Sequence, residues 1–238
     1  MKRNIIITVC AVIIVAAVSA GVRYYITYKK PNILQEYVLL VDSDMTYNAM
    51  TDSIASSEAV KNLTSLTRAF EKRDLEQHYE PGRYVLTPGM SNQYIIRMIA
   101  NGWESPAKVT LRGYIKTLEG LAAFLGHNFE ADSADFADVL LNQDIIDSLG
   151  FKPETFIGMF IPNTYEFYWT ASPRSVVGRF HKEYEAFWNG ERDRLAKDMG
   201  MSRNEVMTLA SIVIGETNNT GEMPLIAGVY INRLKRGM

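Results

Sequence analysis

Cysteine is all but missing from this chain of 238 residues, and Cys10 is the single one. It lies inside an apolar run, so no intramolecular disulfide can staple a core. Histidine is nearly as scarce. His78, His127 and His181 are scattered along the sequence, without the i, i+4 spacing of a helical metal pair, and no metal site is expected. Charge of one sign is also lacking: 25 Lys and Arg against 27 Asp and Glu give a formal net charge of −2. That near-neutrality lacks the basic footprint of a nucleic-acid partner. The G-x-x-x-x-G-K-[ST] phosphate loop and the G-x-S-x-G nucleophile elbow are both absent, which argues against the chemistries they carry. Ser105-Pro106-Ala107-Lys108 matches S-x-x-K, but it leads into a β-like Lys-Val-Thr-Leu run. Lys116-Thr117-Leu118 fails as the companion K-T-G, so the match is read as chance.

What the chain does have begins at its N-terminus. Ile5 to Val22 is unbroken by charge and is preceded by Lys2 and Arg3. At ~1.5 Å of rise per residue it reaches the lower limit for a membrane-spanning helix. Val18-Ser19-Ala20 before Gly21 resembles a signal-peptide cleavage box. The run is long, however, and continues into Tyr24, Tyr25 and Tyr28, an interfacial aromatic belt. An anchor is favoured over a cleaved signal, and in either case the chain after about Pro31 is exported.

Beyond the anchor the length suits two modest domains. Tyr37–Val41, Arg83–Leu86 and Lys108–Leu111 read as strands. They alternate with helices over Thr46–Ser56, Glu58–Arg73 and Ser91–Ala100, giving a small α+β unit. From Thr117 the pattern turns helical, with stripes at Leu118–Gly126, at Ser133–Leu140 and, after the Ser172-Pro173 start, to Gly190. The run F-I-G-M-F-I-P-N-T-Y-E-F-Y-W at 156–169 is the densest in aromatics. Such clusters are usually core; the functional alternative is a loop lining a sugar cleft.

Ser202 to Glu216 is the helix that carries the candidate chemistry. Ser202 and Glu205 form a Ser-x-x-Glu capping box, and Val206, Leu209, Ala210, Ile212 and Val213 mark one apolar face. In that register Glu216 falls in line with Leu209, at the C-terminal end of the helix. Burial and the helix dipole would both disfavour its ionised form there, as a general acid requires. Glycosidases commonly use two carboxylates; Glu222 and Glu166 are the candidate partners. A last helix opens at Pro224, and the chain stops directly after it, which gives a truncated look.

A-S-I-V-I-G-E-T-N-N at 210–219, followed by G-E-M-P-L-I-A-G-V-Y-I-N-R-L-K-R-G-M at 221–238, resembles the YceG-like family of endolytic murein transglycosylases. I-P-N-T-Y-E-F-Y-W at 161–169 resembles the same family's F-P-x-T-Y element. The resemblance implies an α+β chain in three parts. These are a cytoplasmic tip and transmembrane anchor (1–30), a LysM-like α+β module (31–112), and a mainly helical catalytic domain with lysozyme-like acid placement (113–238). It implies cleavage of nascent peptidoglycan strands to 1,6-anhydro-N-acetylmuramic acid ends, in cell-wall assembly and strand termination, with no cofactor. The family's catalytic glutamate falls on Glu216, and Asn163, Tyr165, Glu222 and Asn232 match positions expected to line or brace the cleft. Peptidoglycan strands are the implied ligand and peptidoglycan synthases the implied protein partners, with no nucleic acid. The expected location is a single-pass cytoplasmic (inner) membrane anchor with the catalytic part outside. Two positions depart from the family pattern: Ile214 and Ile157 stand where acidic residues are common. The family also continues past Met238 with a D-P-T-V-bearing segment. Two other readings stay open, a non-catalytic glycan-binding scaffold and a two-carboxylate muramidase using Glu216 and Glu222.

Overall fold

The computed structural model describes residues 2–113 and 115–237; the side chains of Lys2 and Arg3, counted above as flanking charges, lie outside the described residues. The chain is α+β and mostly helical, with two small two-stranded sheets and one long apolar N-terminal helix among the described residues. Its packing divides it into two units, Met1–Ala107 with Glu166–Thr170, and Lys108–Tyr165 with Ala171–Met238.

In the first unit, α1 (Lys2–Tyr24) runs into a π-helical turn, Tyr25–Lys29. Most of α1 is exposed, whereas Thr27 and Tyr28 in the turn are buried. The order then is β1 (Tyr37–Val41), α2 (Tyr47–Ser56), α3 (Leu63–Glu71), β2 (Gly82–Leu86) and α4 (Asn92–Ala100). Local chemistry sets the helix starts. Thr46, Asn62 and Ser91 each accept a hydrogen bond from the backbone N–H three residues on, satisfying one orphan donor of the first turn. Strands β1 and β2 pair antiparallel with Leu39 opposite Tyr84. Alternation along both puts Leu39, Val41, Tyr84 and Leu86 into a core shared with Met50, Phe70 and Ile95. The Tyr84 hydroxyl, carried into that core, donates to the Glu80 carbonyl at 2.8 Å.

The third helix starts at Leu63, not at Glu58 as periodicity suggests. Glu58 adopts a left-handed backbone (φ 55°), and Val60 bridges to Ile33 instead of entering a helical turn. A buried polar network ties this region to the π-turn. Asn32 donates from its amide nitrogen to Asn92 Oδ1 (2.8 Å) and accepts from the Asn62 N–H (2.8 Å). Asn92 in turn donates to the Thr27 carbonyl (2.9 Å) and to Ser65 Oγ (3.2 Å). Each amide is satisfied, so the network stabilises where an unpaired one would cost ~1–3 kcal/mol per group.

The second unit begins within β3 (Ala107–Leu111), which pairs with β4 (Asn163–Phe167) and not with β1 or β2. The Thr110 and Thr164 hydroxyls meet at 2.9 Å. Helices α5 (Leu118–Gly126) and α6 (Ser133–Leu140) follow. The cap of α6 is Asp132, whose carboxylate accepts from the Asp135 N–H. A Cβ on Gly126 would strike the backbone of Ser133, so glycine is what lets the end of α5 lie against the start of α6. Then come α7 (Gln143–Ser148), α8 (Pro153–Phe156) with a 3-10 turn (Ile157–Met159), α9 (Pro173–Phe187), α10 (Gly190–Asp198), α11 (Arg203–Glu216) and α12 (Met223–Lys235).

The aromatic run at 156–169 is mostly core and strand, and only its first half, around Ile157 and Pro162, reaches a cavity wall. Phe156, Phe160, Tyr165, Phe167 and Trp169 are buried, while Tyr168 is exposed. Phe180 on α9 is the hub in this unit, meeting Phe160 edge-on at 5.3 Å and Tyr165 at 4.9 Å between centroids.

Arg203, at the first position of α11, ties α9, α10 and α11 together. Its guanidinium donates to both oxygens of Asp193 at 2.7 Å and to Glu185 at 2.9 Å. The Arg203 hydrogen bond holds the Asp193 carboxyl below the usual carboxylate range. A depressed folded-state value means the stabilisation is whole above the ordinary Asp pKa and is lost as pH falls through the lower folded value. Melting temperature is therefore expected to fall below about pH 4 through this group, with the fall reduced in Asp193→Asn. Calorimetry between pH 2 and 6 tests this; an identical acid-side profile for the variant would count against it.

Candidate active site

The start of α11 is built as its sequence predicts. Ser202 Oγ accepts from the Glu205 N–H at 3.2 Å and Glu205 Oε2 accepts from the Ser202 N–H at 2.7 Å. The capping box holds the Glu205 carboxyl below its usual range, chiefly through the Ser202 backbone N–H. Leu209 and Val213 are buried, fixing the packed face of the helix.

Glu216 departs from the expected placement. It is exposed, so the buried, lysozyme-like setting read from the helix register is not what forms. The register itself holds, since Glu216 is on the Leu209 side of α11. Burial stops short because Glu216 is the last residue of the helix, and α12, which packs on α11, has no buried residue. What Glu216 acquires is a polar partner: the Tyr230 hydroxyl on α12 donates to its Oε1 at 2.8 Å. That hydrogen bond is the main cause raising the Tyr230 phenol above its ordinary pKa, with burial and the Glu216 charge adding and Arg233 opposing.

The turn between α11 and α12 is closed on itself. Thr217 Oγ1 donates to Glu222 Oε2 at 2.9 Å and accepts from the Asn219 N–H at 3.0 Å, while Asn219 Oδ1 accepts from the Gly221 N–H. Glu216 and Glu222 thus stand at the two ends of one braced turn, Glu222 engaged by Thr217 and Glu216 by Tyr230.

The other sequence-derived residues fall elsewhere. Asn163 opens β4, exposed, with Oδ1 accepting from the Thr164 N–H at 2.8 Å. Tyr165 is a core residue. It is buried, its hydroxyl donates to the Ile161 carbonyl at 2.6 Å, and its phenol is pushed up to about 12, mainly by burial. Asn232 is exposed on α12, and at ~100° per residue it points roughly 160° away from Tyr230. In the sequence Tyr230 stands beside Ile226, Val229 and Leu234 as one more apolar position of the last helix. No local pattern flags a phenol 14 residues from the carboxylate it meets, since helix packing creates that contact.

A cavity of about 480 Å³ lies along the other side of α11, against Asn204, Met207, Thr208, Ser211 and Ile214. That face is roughly 150° around the helix from Glu216. Arg112, Lys116 and Glu154 supply its charge, and Ile157, Ile214 and Pro162 part of its wall. Both positions noted above as departures from acidic residues therefore line one groove. Among the described residues no group of three or more His, Cys, Asp or Glu is placed to hold a metal ion.

A test of the pair follows. Tyr230→Phe should lower any turnover that depends on the Glu216 carboxylate about threefold to tenfold, through loss of one hydrogen bond that orients it. The melting temperature should change little. Steady-state rates on glycan strands, the substrate implied by the sequence resemblance, measure it, and unchanged turnover would remove Tyr230 from the site.

Comparison with known proteins bears on this geometry. No curated protein sequence matches the chain significantly. Among solved structures, a YceG-like protein from Listeria monocytogenes is similar at a TM-score of 0.52 and 20% identity, over 86% of this chain and 72% of that one. At that identity the likeness is one of fold. The model of the YceG-like family matches residues 39–238, which take in the first unit from within β1 onward and every residue of the α11–α12 site; the chain belongs to the YceG-like family.

Proposed function

We propose that this chain is a membrane-anchored, endolytic murein lytic transglycosylase that cuts nascent peptidoglycan strands, with Glu216 as both general acid and general base. The observation that carries the reading is the carboxylate of Glu216 at the end of α11, accessible to a ligand and oriented by the Tyr230 hydroxyl. Protonated Glu216 gives its proton to the glycosidic oxygen as the C1–O4 bond breaks. The resulting carboxylate takes the proton of the muramyl C6 hydroxyl, whose oxygen bonds to C1. The proton returns to Glu216, no water is consumed, and the new end is 1,6-anhydro. One carboxylate suffices because the substrate supplies the nucleophile. A strand laid over Glu216 would strip its water, supplying the desolvation that the free site lacks.

In this reading Glu222 and Thr217 brace the turn, and Asn163 and Asn232 are exposed groups available to a strand. The β1–α2–α3–β2 order with an antiparallel strand pair supports a LysM-like, glycan-holding role for the first unit. Helix α1 is long and apolar enough to cross a membrane, which supports a single-pass anchor in the cytoplasmic membrane with the rest of the chain outside. Work beside peptidoglycan synthases belongs to the same proposal.

The exposure of Glu216 favours one alternative, a glycan-binding scaffold without catalysis. Digesting purified peptidoglycan with the full-length protein and analysing the fragments by mass spectrometry separates the two. Anhydro-ended fragments from internal cuts support the proposal; reducing ends indicate a hydrolase, and intact strands a scaffold.

A further inference from the structure

The first unit holds a cavity of about 640 Å³ where the end of α1 meets the start of α3. Val18, Val22 and Ile26 line it at four-residue spacing, making an apolar strip along one side of the helix. Arg23 and Arg68 line it as well, one from α1 and one from α3, with Asn62 and Thr64 beside them. Neither arginine forms an ion pair among the described residues, so two guanidinium groups share a pocket without a carboxylate to neutralise them. The floor is firm. Ser65, also lining the cavity, is buried, accepts from Asn92 and approaches the Ile26 carbonyl at 3.4 Å. That network holds α3 to the π-turn, so the pocket exists without a ligand to shape it.

Resting on the reading of α1 as a membrane anchor, we propose that this cavity binds the headgroup of an anionic bilayer phospholipid. The phosphodiester sits between Arg23 and Arg68, the headgroup hydroxyls face Asn62 and Thr64, and one acyl chain lies along Val18, Val22 and Ile26. Exposed Tyr24 and Tyr25 put this level of α1 at the membrane–water interface. There the phosphates of a bilayer lie and arginine pairs with phosphate through two parallel hydrogen bonds. An apolar strip continuous with a doubly cationic pocket matches a phospholipid in both halves of its chemistry, where free phosphate would use only one.

The test uses full-length protein in nanodiscs of equal phosphatidylglycerol and phosphatidylcholine, read by native mass spectrometry of the lipids retained on release. Selective retention of phosphatidylglycerol is expected. It should fall about thirty-fold in the Arg23→Gln/Arg68→Gln double variant, at roughly fivefold for each arginine near an anionic surface. Lys30→Gln, exposed but outside the cavity lining, should leave it unchanged. Equal retention of both lipids, retention indifferent to the double variant, an equal loss in Lys30→Gln, or displacement by millimolar inorganic phosphate would each overturn the assignment while leaving the anchor intact. Failure of the full-length chain to enter the nanodiscs would overturn the anchor reading and this inference with it.

Discussion

Glu216→Gln should abolish the anhydro products without unfolding the protein. Glutamine keeps the shape of the side chain and can still accept from the Tyr230 hydroxyl, but it can neither give nor take the proton in the two halves of the reaction. General acid–base groups contribute about 10²–10⁴ in rate, and in the proposed reaction one group serves both steps, so a loss at the upper end is expected. Because Glu216 is exposed and in no described ion pair, stability should hold, and surface substitutions usually fall within about ±0.5 kcal/mol. The measurement is anhydro-muropeptide yield against time, with a melting curve on the same preparation. Residual activity within tenfold of the parent would assign the acid elsewhere. Glu222→Gln separates the alternatives further: a two-carboxylate muramidase requires it to be as damaging as Glu216→Gln, whereas loosening the Thr217 brace predicts a partial loss.

Phe180→Ala should be the most destabilising single truncation in the second unit. Phe180 is 1% exposed and meets Phe160 and Tyr165 edge-on. Those neighbours are held from several sides: Phe160 also stacks edge-on with Phe156, and the Tyr165 hydroxyl is fixed on the Ile161 carbonyl. Rings pinned in this way relax little into a void, so the cost lies within the ~3–5 kcal/mol observed for buried Phe→Ala changes. Urea unfolding should show a lower midpoint with an unchanged slope. A loss under about 1 kcal/mol would mean that the aromatic cluster collapses readily and is not the frame of the unit.

Where a feature depends on its immediate neighbours in sequence, it was legible. The Ser202 box and the Ser172-Pro173 start of α9 formed where side-chain chemistry placed them. Features decided by distant partners were not. The start of α3 moved because Val60 answers to Ile33. The short α7, Gln143–Ser148, drew no assignment because six residues carry too little periodicity. The aromatic stretch at 156–169 offered no rule to choose between cleft and core, and β4 exists because β3 is there to pair with it. At the site, helix phase put Glu216 on the correct side of α11 but said nothing of how far packing extends along the helix. The Tyr230 partner lay beyond any sequence pattern.

The Asn32–Asn92 network has a mechanical consequence. Between the π-turn and β1 the backbone is pinned at Asn32 to Met90, at Leu34 to Ala59 and at Pro31 to Ser91. No slack linker separates α1 from the folded part of its unit. With α1 in a bilayer, that unit would ride on a stiff stem and not on a leash, its height above the lipid set by side-chain amides. Under the proposed function, a glycan held there would be met within a fixed distance of the membrane, and lengthening the Lys29–Leu34 segment would change which part of a strand the protein can reach.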